Sequence, residues 1–232
     1  MTTEILYQGS MPVVVANLEQ NEVLRAEAGA MVYMDSTIDV EGKAQGGFVK
    51  GLGRMMTGES FFLQNLRANR GKGKVMVAPV NIGNIVEVEM TGKAWLLQKG
   101  AFLCSEPTVT TGVKTQGLAK GFFSKEGFFI IRAEGYGKLF LGSFGSIHKI
   151  ELNNEEIIVD NGHMVAWEES LTYSLEKANK GLMSSFTSGE GLVARFKGTG
   201  TIFIQTRNFS GFLSHIGTIN GRGSGLLSRL FG

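Results

Sequence analysis

Little in this chain can staple, break or catalyse: one cysteine, three prolines, three histidines and two tryptophans in 232 residues. A lone Cys104 excludes an intramolecular disulfide and any cysteine-built zinc site, and it fits a reducing, cytoplasmic setting. A formal charge of only +2 gives the whole chain no pull toward a polyanion. Missing too is any uninterrupted apolar run of about 18 residues, the length a membrane-spanning helix needs. The opening MTTEILYQGSMPVVV has neither the basic stretch nor the apolar stretch of a secretion signal. The expected location is cytoplasmic, with peripheral attachment to a membrane left open.

The search for chemistry ends in the same way. His148, His163 and His215 stand in separate contexts, IHKIEL, NGHMVAW and LSHIGT, and none has a second histidine at the spacing of a metal pair. His163, between Asp160 and Glu168, reads as a turn histidine. Cys104 in FLCSE reads as a small buried apolar residue, because a nucleophile needs a base and a lowered pKa. No Gly-x-Ser-x-Gly elbow and no phosphate-binding Gly-x-x-x-x-Gly-Lys-Ser/Thr run occurs. The acidic group Glu155, Glu156, Asp160, Glu168 and Glu169 reads as a solvated face, with the first two in a hairpin turn. The expectation is a non-enzyme with no catalytic, cofactor-binding or metal-binding residue and no cofactor.

What the chain does have is glycine, 33 residues against three prolines, and an apolar fraction of 43% against 19% charged, the composition of a packed core with many tight turns. It also has a repeat. VVVANLEQNEVLRAEAGAMVYMD from Val13, IVEVEMTGKAWLLQKGAFLCSE from Ile85 and IHKIELNNEEIIVDNGHMVAWEE from Ile147 share one plan. In each, an alternating strand, a polar turn, a second strand, a glycine (Gly29, Gly100, Gly162) and a third strand follow in order. The apolar residues flanking the turn, Leu18 and Val23, Met90 and Trp95, Leu152 and Ile157, keep one spacing. A Gly-x-Gly pair follows in each copy, at Gly71 and Gly73, Gly135 and Gly137, and Gly198 and Gly200, and reads as a hairpin turn.

A unit this short has a marginal core alone. The expected fold is therefore all-β, with three tandem units in one pseudo-threefold domain over residues 1–210. The repeats fall at about 11–83, 84–145 and 146–207, before a glycine-rich C-terminal tail at 211–232. The strand around Ile5 to Tyr7 is expected to close the ring on Thr201 to Gln205, hiding an edge.

The runs EAGAMVYMD, GESFFLQ, LQKGAFLCSEPTV, VDNGHMVAWEESLTYSL and GEGLVARFKGTGTIFIQTRN resemble the altered-inheritance-of-mitochondria type of mitochondrial biogenesis family, in its bacterial relatives. That family's fold is similar to the tryptophan RNA-binding attenuation protein, and the likeness extends over about residues 5 to 207. The resemblance implies short double-stranded β-helix-like units and little biochemistry. The mitochondrial members look like support factors for inner-membrane organisation. RNA binding does not follow from a shared fold.

One feature exceeds the needs of a plain β-domain. The loops GGFVKGLGRMMTGES, QGLAKGFFSKEG and KGLMSSFTSGEG mix glycine, bulky apolar groups and cations, where loops are ordinarily polar. Phe48, Leu52, Met55, Met56, Leu118, Phe122, Phe123, Leu182, Met183 and Phe186 need a dry place, either on the domain, against a second subunit or protein, or at a membrane interface. Lys50, Arg54 and Lys120 beside them suit anionic lipid or an acidic partner. These thirteen residues are the candidate contact set of a scaffold or assembly protein that works on a membrane surface or a protein partner, with a homo-oligomer left open. The alternative is a small-molecule binder or metal-dependent enzyme. RNA binding ranks third, because Phe61 and Phe62 are adjacent in a strand and not interleaved with the cations of the basic stretch Lys43 to Lys74.

Overall fold

The computed structural model describes residues 1–43, 63–115, 129–177 and 192–220. Among them, strand dominates. After β1 (Thr2–Leu6), a first unit holds β2 (Val13–Leu18), β3 (Val23–Glu27), β4 (Met31–Met34), β5 (Asp39–Lys43), β6 (Leu63–Arg67) and β7 (Gly73–Val77). A second holds β8 (Ile85–Thr91), β9 (Trp95–Gln98), β10 (Phe102–Ser105), β11 (Val109–Thr115) and β12 (Phe129–Gly142). The third holds β13 (Ile147–Asp160), β14 (Met164–Glu168), β15 (Thr172–Lys177) and β16 (Leu192–Gln205), followed by one helix, α1 (Phe209–Asn220). Alternation makes the strands: in β8, Ile85, Val88 and Met90 are buried while Glu87 and Glu89 are exposed, as a half-buried pleated strand requires.

One pairing order recurs three times. In unit two, β12 bends so that its first half lies between β9 and β11 and its second half between β8 and β10. In unit three, β16 does the same with the two halves of β13 and with β14 and β15. In unit one the long strand is split: β6 lies between β3 and β5, and β7 between β2 and β4. Even the irregularities repeat, since a register shift falls between Met31 and Tyr33, between Phe102 and Cys104, and between Met164 and Ala166.

The Gly-x-Gly pairs are corners, not hairpin turns. Gly135 and Gly198 lie inside continuous 14-residue strands, and β6 and β7 pair with other strands rather than with each other. Gly71, Gly135 and Gly198 take φ of 133°, 125° and 125°, a backbone open to glycine and strained for other residues. That conformation carries one strand from one sheet into the next. Glu155 and Glu156 likewise lie in a bulged continuous strand, β13, and not in a hairpin turn.

Units join by antiparallel pairing of a third strand with the preceding unit's second strand. Cys104 and Ser105 of β10 oppose Ala26 and Arg25 of β3, and Ala166, Trp167 and Glu168 of β14 oppose Leu97, Leu96 and Trp95 of β9. The core is built at these junctions: Leu24, Ala26 and Leu66 pack with Leu103, Cys104 and Phe140. Trp95 stacks on Phe203 of the next unit with ring centroids 5.3 Å apart. Loss of a buried phenyl group at such a place costs about 3–5 kcal/mol.

At the N-terminus the expected ring closure does not form. β1 pairs with β2, Leu6 opposite Val13, because the short connection folds it onto its own neighbour before the distant β16 can compete. Beyond β16, α1 occupies residues 209–220. The Asn208 carboxamide oxygen accepts from Gly211 N at 3.1 Å, capping the helix, and Phe209 and Phe212 pack on Phe144.

Candidate functional site

The thirteen candidate contact residues, Phe48 to Met56, Leu118 to Phe123 and Leu182 to Phe186, lie outside the described residues. The strands that anchor their loops are described. Each loop leaves from one end of a paired ladder and returns at the partner's matching position: Lys43 opposite Leu63, Thr115 opposite Phe129, Lys177 opposite Leu192.

These anchors share one end of the molecule. In unit two Gln98, at the end of β9, pairs with Ile130 beside the loop. Four residues on, Phe102 begins β10 opposite Leu141, near the end of β12. Four residues reach at most about 14 Å, so the start and the end of β12 are neighbours. The same step runs from Glu27 to Met31 and from Asp160 to Met164. The second strand of each unit thus runs toward its loop end and the third runs away from it. Antiparallel pairing of these two strands across each junction therefore points all three loop ends the same way.

The same end exposes apolar side chains among the described residues. Tyr7 and Met11 in the β1–β2 connection are 65% and 61% exposed, and Val80 and Ile82 between β7 and β8 are 82% and 59% exposed. Phe209, Phe212 and Leu213 of α1, which follows the end of β16, are also exposed. Sequence reasoning placed the apolar groups of this end in the glycine loops and missed these seven, although Val80 and Ile82 flank Asn81 in a segment too short and irregular for a strand.

Elsewhere several titratable groups are already engaged. Cys104 is fully buried, and burial pushes its thiol far above the ordinary range, which leaves no thiolate to react. The His163 ring nitrogen Nδ1 lies 2.7 Å from the Gln205 carbonyl oxygen. The Asp160 carboxylate accepts from Gly162 N at 2.8 Å. The acidic group of unit three is dispersed: Glu156 pairs with Arg195, Glu168 with Lys93 at 3.1 Å and Glu169 with Arg132 at 2.7 Å. Glu168 is buried, so it is no part of a solvated face. It tethers unit three to the β8–β9 turn of unit two.

In the basic stretch, Arg67 is bound to Glu41 at 3.1 Å and Arg70 to Asp39 at 2.8 Å. Arg195 and Ser174 hold the Glu176 carboxyl below its ordinary value. Two shallow grooves, of about 370 and 460 Å³, flank the junction of units two and three. Their charged walls, Arg132, Glu134, Glu168, Glu169 and Lys93, are paired with one another. Among the described residues no three of His, Cys, Asp or Glu converge as metal ligands, and no helix is long and apolar enough to cross a membrane.

Fold and site together define an all-β protein whose loop anchors share one end. The chain belongs to the family described as Mitochondrial biogenesis AIM24, whose model matches residues 3–207. It is 35% identical over 209 residues to the uncharacterized protein M6_Spy0233 of Streptococcus pyogenes serotype M6, covering 87% of this chain and 84% of that one. The crystal structure of protein SPYM3_0169 from Streptococcus pyogenes superposes with a TM-score of 0.78 at 33% identity, covering 94% of this chain and 99% of that one.

Proposed function

We propose that this protein is a non-enzymatic scaffold, built of three short double-stranded β-helix-like copies, whose loop end contacts an anionic membrane surface or a protein partner. The observation that carries the reading is the shared direction of the three loop anchors, fixed by antiparallel pairing at both junctions. Seven exposed apolar residues at the same end extend the surface beyond the loops. Apolar side chains interspersed with lysine and arginine are the composition that binds an interface between water and lipid.

Flotation of the intact protein with vesicles containing phosphatidylserine tests the proposal, with neutral vesicles as the control. Cofractionation with the anionic vesicles, abolished by Phe122→Asp with Phe123→Asp, is the result expected for a membrane. If vesicles fail, loss of a complex from cell extract in the same double variant identifies a protein partner. No binding in either assay removes the reading.

A further inference from the structure

Among the described residues, two strand edges stand open where their counterparts in the other units are paired, and these two are complementary. β10 and β14 each lie between a strand of their own unit and the second strand of the preceding unit, and every residue of both is buried. Among the described residues, their counterpart in unit one, β4, pairs only with β7, and Met31, Val32 and Tyr33 are 37%, 55% and 41% exposed. At the other extreme, β3 and β9 each carry a third strand of the next unit. Their counterpart, the C-terminal half of β13, pairs among the described residues only with β16, and Ile158 is 42% exposed. A threefold ring closed within the chain would join these two edges, and they are not joined.

We infer that β4 of one chain pairs with the C-terminal half of β13 of a second copy, head to tail, continuing between chains the step made twice within each. The register follows from the two internal junctions. Cys104, four residues after Gly100, opposes Ala26, three before Gly29. Ala166, four after Gly162, opposes Leu97, three before Gly100. The corresponding residues at the open edges are Tyr33, four after Gly29, and Val159, three before Gly162, so Tyr33 opposes Val159 and Met34 opposes Ile158. The register shift after Met31 matches those after Phe102 and Met164, so β4 already has the shape of a strand that docks.

Asp35 and Glu155 take the places of Glu168 and Lys93, so this junction sets two carboxylates where the junction of units two and three has an ion pair, and it rests on strand pairing and apolar contact. A contact between two different patches closes into a ring or grows into a filament, and at every junction of either one these two edges are covered. With loop ends aligned at every junction, the assembly carries all its loops on one face.

The test is cysteine cross-linking under mild oxidation, with native Cys104 buried. A Met34→Cys chain mixed with an Ile158→Cys chain is expected to give a covalent pair only when both are present. The chain with both substitutions is expected to form covalent multimers. Val32→Lys, at an exposed edge position, is expected to keep the native circular dichroism and melting temperature while reducing the sedimenting species to a monomer. A doubly substituted chain that cross-links within itself would overturn the inference by showing closure inside one molecule. Cross-linking of Met34→Cys with itself would overturn it by showing a two-fold contact, and a monomeric wild type at tens of micromolar with no cross-link would do so outright. None of these readouts involves a vesicle or a partner, so they succeed or fail independently of the loop-end reading.

Discussion

Replacing Gly135 with alanine should cost about twice what the same change costs at Gly198, although both hold φ of 125° at the corner of a long strand. A non-glycine residue in such a backbone is strained by about 1–3 kcal/mol, and reduced freedom of the unfolded chain returns about 0.4–1 kcal/mol. At Gly198 that is the whole effect, about 1–2 kcal/mol, because a new Cβ would meet only Leu171 Cδ2 at 3.7 Å. At Gly135 it would stand 2.3 Å from the Thr108 carbonyl oxygen. That oxygen is backbone, and the next residue, Val109, opens β11 opposite Gly135 itself. Relief therefore means lifting the start of a strand, a further overpacking cost of about 1–3 kcal/mol. For a chain of this size each kcal/mol lowers the melting temperature by about 2–4 °C, so the expected losses are about 4 °C at Gly198 and about 10 °C at Gly135. Gly112, in β11 with open space where its Cβ would stand, is the control, and its alanine variant should melt within about 2 °C of wild type. Thermal melts with urea titration decide it. Equal losses at 135 and 198 would refute the clash argument, and no loss at 198 would refute the backbone argument.

Three further outcomes are expected. Cys104 should not react with a thiol-specific chromogenic reagent in the native protein and should titrate as one thiol after unfolding, and Cys104→Ala should cost about 1 kcal/mol for its lost packing. Asn208→Ala should remove the cap of α1 at a cost of about 1 kcal/mol, seen as faster hydrogen exchange in residues 209–220 with the strands unchanged. Burial raises the Glu27 carboxyl above its ordinary value. The folded chain thus holds that proton more tightly than the unfolded one, and stability falls as pH rises from the ordinary carboxylate value through the raised one. Glu27→Gln should therefore raise the melting temperature at pH 7 and lose that advantage in acid; an advantage that persists at pH 3 would contradict the assignment to burial.

The strand content was legible because the spacings from Leu18 to Val23 and from Met90 to Trp95 each span a turn between two strands, while the same spacing from Leu152 to Ile157 spans a bulge inside one strand. Partner choice was not, since an alternating strand such as β1 announces its period and not its neighbour. Its short link to β2 settled that locally. The Gly-x-Gly pairs misled for a specific reason: glycine between two apolar runs serves a hairpin turn and a sheet corner equally, and only the partners of the flanking strands distinguish them. Asn208 carried a cap signal, obscured by glycines at 211 and 217. Glu168 gave no sign of burial, because its partner Lys93 is 75 residues away. Of the candidate site, the shared direction of the loop anchors followed from pairing across the junctions, which no local pattern encodes.

A frame repeated along one polypeptide separates the sameness of the scaffold from the sameness of what it displays. In a ring of identical one-unit chains a mutation in the loop would appear at every station at once. Here residues 44–62, 116–128 and 178–191 mutate one at a time, and they have diverged: the first carries Met55–Met56, the second Phe122–Phe123 and the third Ser184–Ser185. Their apolar sets differ too: Phe48, Leu52, Met55 and Met56 in the first, Leu118, Phe122 and Phe123 in the second, and Leu182, Met183 and Phe186 in the third. Under the proposed function, one contact surface would meet three different sets of side chains.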